Sequence, residues 1–199
     1  MDKNHKYKIK KVIITILAWI VSTAICSLFV YYLWTRGVFL PNYATWHNQE
    51  ESYVIGEETV SFELKRRTLK IYDEKTKELI YEAPDEWRVS DCFCFDVDHD
   101  DEYEVVMVVW KRGSFGNHKP FWHDDKDDEW TQHIFIYDWD ITRETRLRPI
   151  WMSSKIGIRA KTIFIDEDDR IHLIDDKGEE TVWQWINWGL TLMEIIPVE

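Results

Sequence analysis

The pattern of apolar and polar positions changes character along the chain. Residues 12–34, VIITILAWIVSTAICSLFVYYLW, are 23 positions without a charge. As a helix that run is long enough for the roughly 30 Å of hydrocarbon in a bilayer. From Thr59 onward the pattern becomes short runs of alternating or β-branched and aromatic residues, which predict strands. They are TVSFEL (59–64), LKIYD (69–73), ELIYEA (78–83), VSDCFCFDV (89–97), YEVVMVVW (103–110), QHIFIYDW (132–139) and RLRPIWM (146–152). KTIFID (161–166), RIHLID (170–175), ETVWQW (180–185) and LTLMEI (190–195) follow, with polar loops between. No long amphipathic helix is predicted after residue 45, and residues 43–53 read as a linker or a short helix.

The expected organisation is a cytoplasmic basic tail (1–11), a transmembrane signal anchor (12–34), a linker (35–58) and an extracytoplasmic β-domain (59–199). Lys3, Lys6, Lys8, Lys10 and Lys11 precede the apolar run, with Asp2 the one acid, and Arg36 follows it. The positive-inside rule then places the N-terminus in the cytoplasm and the rest outside. Tyr31, Tyr32 and Trp34 fall where an outer aromatic belt lies. A cleaved signal peptide fits less well, because its apolar core is shorter and TRGVFLPNY offers no Ala-x-Ala site. Bulky Ile25 before Cys26 disfavours a lipoprotein cysteine. Thr15, Ser22, Thr23, Ala24 and Ser27 are small or hydroxyl residues able to pack a partner helix.

Composition sharpens the picture. Lys and Arg total 25 against 37 Asp and Glu, a net charge of −12. Residues 1–34 carry five Lys and one Asp; the other 165 carry 20 basic and 36 acidic side chains, or −16. Such a domain is unsuited to nucleic acid and to anionic lipid. Twelve Trp and 15% aromatics favour β-structure with large buried or ligand-facing rings.

A faint repeat runs through the β-region. Ile71-Tyr72-Asp73 and Ile136-Tyr137-Asp138 lie 65 residues apart, each before a polar loop and another strand, and Ile163-Phe164-Ile165-Asp166 starts a third unit. The expected fold class is mainly β: one transmembrane helix, then an antiparallel β-domain of about three propeller-like blades. A β-sandwich is the alternative. Three blades fall short of a closed ring, so the domain is an incomplete propeller with capped edges, part of an oligomer, or completed by a partner.

The most specific segment is Asp96-Val97-Asp98-His99-Asp100-Asp101-Glu102-Tyr103-Glu104, followed by an apolar run. Oxygen ligands at alternate positions with a carboxylate at the ninth can surround a hard cation. Those positions hold Asp96, Asp98, Asp100 and Glu104, with Glu102 where a backbone carbonyl serves. The segment resembles the turn of the FG-GAP/VCBS repeat family, Asp-x-Asp-x-Asp-Gly-x-x-Asp/Glu between two strands, best over residues 87–151. The resemblance implies a calcium-binding turn, a propeller blade and an extracellular adhesion or ligand-binding role. Asp101 stands where the family has Gly, at a position that turns with positive φ. The later Asp166-Glu167-Asp168-Asp169 lacks a fourth carboxylate, since Arg170 and His172 occupy the places needed, and reads as a turn.

Residues 113–130 form an insert with aromatic Phe121, Trp122 and Trp130 beside His118 and His123. It offers a platform for a glycan, peptide or partner edge, or else a loop whose rings fold back on the sheet. His118, His123 and His133 fit no strong zinc spacing. Cys92 and Cys94 share one strand face and read as small core residues, with no disulfide expected. No nucleophile elbow, zinc-protease helix or phosphate-binding Gly loop is present. The expected function is a non-catalytic, membrane-anchored binding module of the cell surface or envelope, of a bacterial type. It would serve as an accessory subunit with a protein partner or as a homo-oligomer, paired through sheet edges or the membrane helix. A calcium-dependent glycan- or protein-binding adhesin and a small metal-dependent hydrolase are the alternatives.

Overall fold

The computed structural model describes residues 3–35, 38–40 and 46–197. Arg36 and the linker positions 41–45 lie outside the described residues. Two units are present, residues 1–40 and 41–199. The first is a single helix, α1 (Lys3–Thr35). Its stretch Lys8–Trp34 is long and apolar enough to cross a membrane, and none of it is buried. Apolar residues surround the whole circumference, as in helices that face hydrocarbon rather than water.

The second unit is all antiparallel β. Its strands are β1 (Gln49–Ile55), β2 (Glu58–Lys65), β3 (Thr68–Asp73), β4 (Leu79–Glu82), β5 (Arg88–Phe95) and β6 (Glu104–Arg112). There follow β7 (Trp130–Trp139), β8 (Leu147–Met152), β9 (Ala160–Ile165), β10 (Ile171–Asp175), β11 (Glu180–Ile186) and β12 (Gly189–Ile196). They form three four-stranded sheets in plain sequential order: β1 to β4, β5 to β8 and β9 to β12. Eleven strands coincide with the runs read from the sequence. The exception is β1, which occupies residues assigned to the linker and pairs with β2 from Gln49↔Leu64 to Ile55↔Glu58. Its sequence, QEESYVI, buries only Ile55 fully and half-buries Gln49 and Tyr53, so no alternating apolar pattern announces it. Hydrogen bonds to β2 hold it where side-chain burial does not.

The sheets pack face to face, with the second in the middle. Val60, Phe62, Leu64, Leu69 and Ile71 of the first sheet meet Val105, Met107, Val109 and Phe135 of the second. The intervening residues Val106, Val108, Ile134 and Ile136 point the other way, onto Ile163, Ile171 and Leu173 of the third. A strand covered on both faces has no polar side to present, which is why β6 reads as an unbroken apolar run. Cys92 is buried in the first interface and Cys94 packs against it; both thiols are free. Burial pushes both thiols up, Cys94 to about 12.

The outer face of the first sheet is polar. Ser52, Ser61 and Tyr72 line up across it, and so do Glu50, Glu63, Lys70 and Glu82. Lys65 bridges Glu50 and Glu63, and Lys70 bridges Glu82. In the third sheet, β12 is a lateral edge strand carrying exposed Leu192, Met193, Ile195 and Ile196.

Phe135 is fully buried in the middle sheet and its ring meets Trp87 at 5.0 Å. Phe135→Ala is expected to lower unfolding free energy by about 3–5 kcal/mol, read by chemical denaturation of the protein in detergent.

Candidate functional site: the acidic turn and the insert

The turn between β5 and β6 is organised by its own carboxylates. Asp96 accepts the backbone N–H groups of Asp100 (3.1 Å) and Asp101 (3.0 Å). Asp100 accepts the N–H of Glu102 at 2.9 Å. His99 and Asp101 take left-handed φ values of 62° and 70°. The positive φ expected at Asp101 is therefore present, with Asp supplying what Gly supplies more cheaply.

Three of the five carboxylates named from the sequence converge. Asp96, Asp98 and Glu104 each bring an oxygen within 4.8 Å of the others. Asp100 and Glu102 are exposed on the turn and stand outside that group. Glu104 opens β6 only 2% exposed, and its carboxylate accepts the Val97 N–H at 2.7 Å. Burial pushes this carboxyl up to about 7; the Val97 N–H pulls it down, and Asp98, Asp100 and Asp96 add to the rise. Asp98 is also raised, by burial first and then by Asp100 and Asp96. Its Oδ1 is buried with no hydrogen-bond partner. Crowded carboxylates whose ionisation partial burial opposes, one with an unmatched oxygen, are suited to a divalent cation, which would supply the missing positive charge.

The insert sits at the far end of β6, one strand length from this turn. It is built rather than loose at its base. Gly113 N–H donates to Glu129 at 2.9 Å, and Asp127 accepts the N–H and hydroxyl of Ser114. Lys111 donates to the Phe115 carbonyl at 2.6 Å. At Gly116 a Cβ would stand 2.2 Å from the Met152 carbonyl oxygen, so only glycine lets the loop lie against β8. At the tip, Phe121 is 90% and Trp122 72% exposed, their rings edge to face at 4.8 Å. Of the two arrangements open from sequence, the tip pair takes the exposed one. Trp130 is different: it is half-buried where β7 begins, between the Arg88 and Arg112 guanidinium groups at about 6 Å.

The three histidines do not meet. His118 is exposed, and His123 packs edge-on to Phe115 at 5.0 Å. His133 is fully buried, its ring nitrogens 3.0 Å from the Ser153 and Gly113 carbonyl oxygens. Burial lowers its pKa, and the ring sits between the base of the insert and the residue that follows β8. In α1 the hydroxyls of Thr15 and Thr23 bond carbonyls four residues back, at 3.0 and 2.8 Å, leaving both satisfied within the helix.

One cluster carries a residue read from sequence only as a misfit ligand. His172 lies between Glu180 (Nδ1 to Oε1, 2.5 Å) and Asp166 (Nε2 to Oδ2, 2.9 Å) and stacks on Phe164 at 4.6 Å. Asp166 also accepts the N–H groups of Asp168 and Arg170 and the Arg170 side chain. This is the capped turn expected there. The period-2 register that sets His172 between two carboxylates is legible only once β10 is paired with β9 and β11. Burial alone would lower the His172 pKa, but the two carboxylates outweigh it and raise it.

Two pH dependences follow. A cation binding at Asp96, Asp98 and Glu104 would have to displace the Glu104 proton below about pH 7. Calcium affinity, read by calorimetry, is expected to fall as pH drops through 7, with proton uptake by buffer seen near that value. Glu104→Gln is expected to remove this pH dependence and most of the affinity. For His172, the raised folded pKa makes its ion pairs fully stabilising below about 6.5 and lost as pH rises through the folded value. The melting-temperature gap between wild type and His172→Gln is therefore expected to be widest at pH 5–6 and to narrow above it. Compared with known proteins, the chain matches no protein-family model, no curated protein and no solved structure.

Proposed function

We propose that this chain is a membrane-anchored, non-catalytic binding module whose β-domain lies outside the cytoplasm and serves as an accessory subunit or scaffold of a surface or envelope complex. The observation that carries the reading is the joining of one helix with a long uncharged apolar run to a β-domain that presents a rigidly based loop tipped by exposed Phe121 and Trp122. Exposed aromatic pairs of this kind are costly in water and suited to a partner surface. The five lysines that precede the apolar run support a cytoplasmic N-terminus.

The three stacked sheets fit three blades of an incomplete propeller, as the FG-GAP/VCBS-like turn implies. Successive four-stranded meanders packed face to face support this, and the convergence of Asp96, Asp98 and Glu104 supports calcium at the second blade. Calcium would supply positive charge that fixes the turn; the chain's own carboxylates would hold it. The polar outer face of the first sheet supports a stack capped at that end. The free apolar edge of β12 supports strand pairing with a second polypeptide.

The test is purification of the full-length protein from its native membrane in mild detergent with calcium, with native mass and partner identification. The expected result is a stoichiometric second protein or a defined homo-oligomer. A clean monomer that retains glycan binding lost in Trp122→Ala would replace this reading with the adhesin.

A further inference from the structure

A second feature lies at the same end of the β-domain as the acidic turn. The β1–β2 turn, the acidic turn and the start of the β7–β8 loop enclose a groove of about 690 Å³. That size is within the range of sites that hold a substantial ligand. Its apolar walls are Val54, Tyr103, Trp139 and Ile141. Val54 and Ile141 are 67% and 66% exposed, the highest values among the aliphatic residues of the β-domain that are described. Gly56, at φ 59°, makes the two-residue turn that keeps this wall low; no atom would meet a Cβ there, so conformation alone favours glycine.

Around this apolar floor stand Glu57, Glu58, Asp101 and Glu102. Glu58 is already matched: its Oε2 accepts the Trp139 indole N–H at 2.8 Å and lies 3.4 Å from Arg146 Nε. Glu57, Asp101 and Glu102 are exposed, and none takes part in an ion pair among the described residues. The groove therefore pairs exposed aliphatic and aromatic surface with three unmatched negative charges.

We propose that this groove docks a segment of a partner protein in which Lys or Arg alternates with aliphatic residues. The reading rests on the binding-module function above and names its partner's chemistry. Cationic heads would meet Glu57, Asp101 and Glu102, and stems and aliphatic neighbours would cover Val54, Tyr103 and Ile141. A small polyamine satisfies the charges but leaves the aliphatic walls in water, so a polypeptide fits better. Asp101 and Glu102 belong to the turn that carries Asp96 and Asp98, so a cation bound there would also hold one wall of the groove.

The test uses the full-length protein in detergent micelles and a labelled synthetic peptide that alternates Lys with Val and Ile. A second peptide carries Gln for Lys, and spermidine serves as a competitor. The Lys peptide is expected to bind, more weakly as salt rises. Binding is expected to weaken about tenfold or more in the Glu57→Gln, Glu102→Gln double variant and in Ile141→Ser. All three positions are exposed, and unchanged melting temperatures check the fold. Glu102→Lys is expected to reject the Lys peptide and gain affinity for a Glu-bearing one. Equal binding of the Gln peptide overturns the proposal, as does binding indifferent to these substitutions. Spermidine binding that survives Ile141→Ser and fully excludes the peptide also overturns it, leaving a small-cation site. A native partner whose association ignores the groove variants overturns the groove while leaving the binding-module reading intact.

Discussion

The structure of the β-domain depends on one constraint, the burial of its middle sheet on both faces. From Val105 to Val109 every side chain of β6 is at most 1% exposed, with alternate residues committed to opposite neighbours. A one-residue slip of β6 would exchange the two interfaces completely, so register is strongly fixed. The same constraint expels ionisable groups from the strand interior. The buried polar side chains of β7 lie against backbone: Gln132 Nε2 donates to the Ala160 carbonyl at 3.1 Å, and the His133 ring nitrogens face the Ser153 and Gly113 carbonyl oxygens. Chemistry is displaced to the two ends of β6, where Glu104 opens the acidic turn and Arg112 leads into the insert.

That displacement explains what the sequence disclosed. Strands with one or two buried faces announce themselves through Phe, Ile and Val at fixed spacing, and eleven were readable. The β1 strand was not, because Glu50, Glu51 and Ser52 carry no burial signal. The acidic turn was readable because its carboxylates are local: Asp96 to Glu104 span nine residues, and the positive φ at Asp101 was implied by the resemblance to a turn that carries Gly there. Which carboxylates converge was not readable. Sequence spacing treats Asp100 like Asp98, whereas the fold buries one Asp98 oxygen and turns Asp100 back to cap Glu102. The groove was invisible for a different reason, since its walls come from residues 54–58, 101–103 and 139–141, which only sheet stacking brings together.

The insert shows the same division between local and non-local information. Its length and aromatic content marked it from sequence, but the burial of His133 depends on contact with Ser153, which follows β8. Gly116 is the clearest case. Its role is set by a carbonyl of Met152, 36 positions later, and no local turn rule would single it out.

The outer face of the first sheet and the edge of the third differ physically, and the difference bears on completion of the fold. Covering the first sheet's outer face would desolvate Lys65, Lys70, Glu50, Glu63 and Glu82. Exposed pairs of this kind stabilise by about 0–1 kcal/mol each, but stripping them of water costs considerably more. That face is therefore built to end the stack. The third sheet ends instead in β12, with unpaired backbone groups and four exposed apolar side chains. A strand added there would gain hydrogen bonds and bury apolar area with Glu194 the one acidic residue in β12 to accommodate. Under the binding-module reading, the cost of desolvating charge disfavours stacking onto the first sheet's outer face, and the exposed β12 edge offers lateral strand pairing instead.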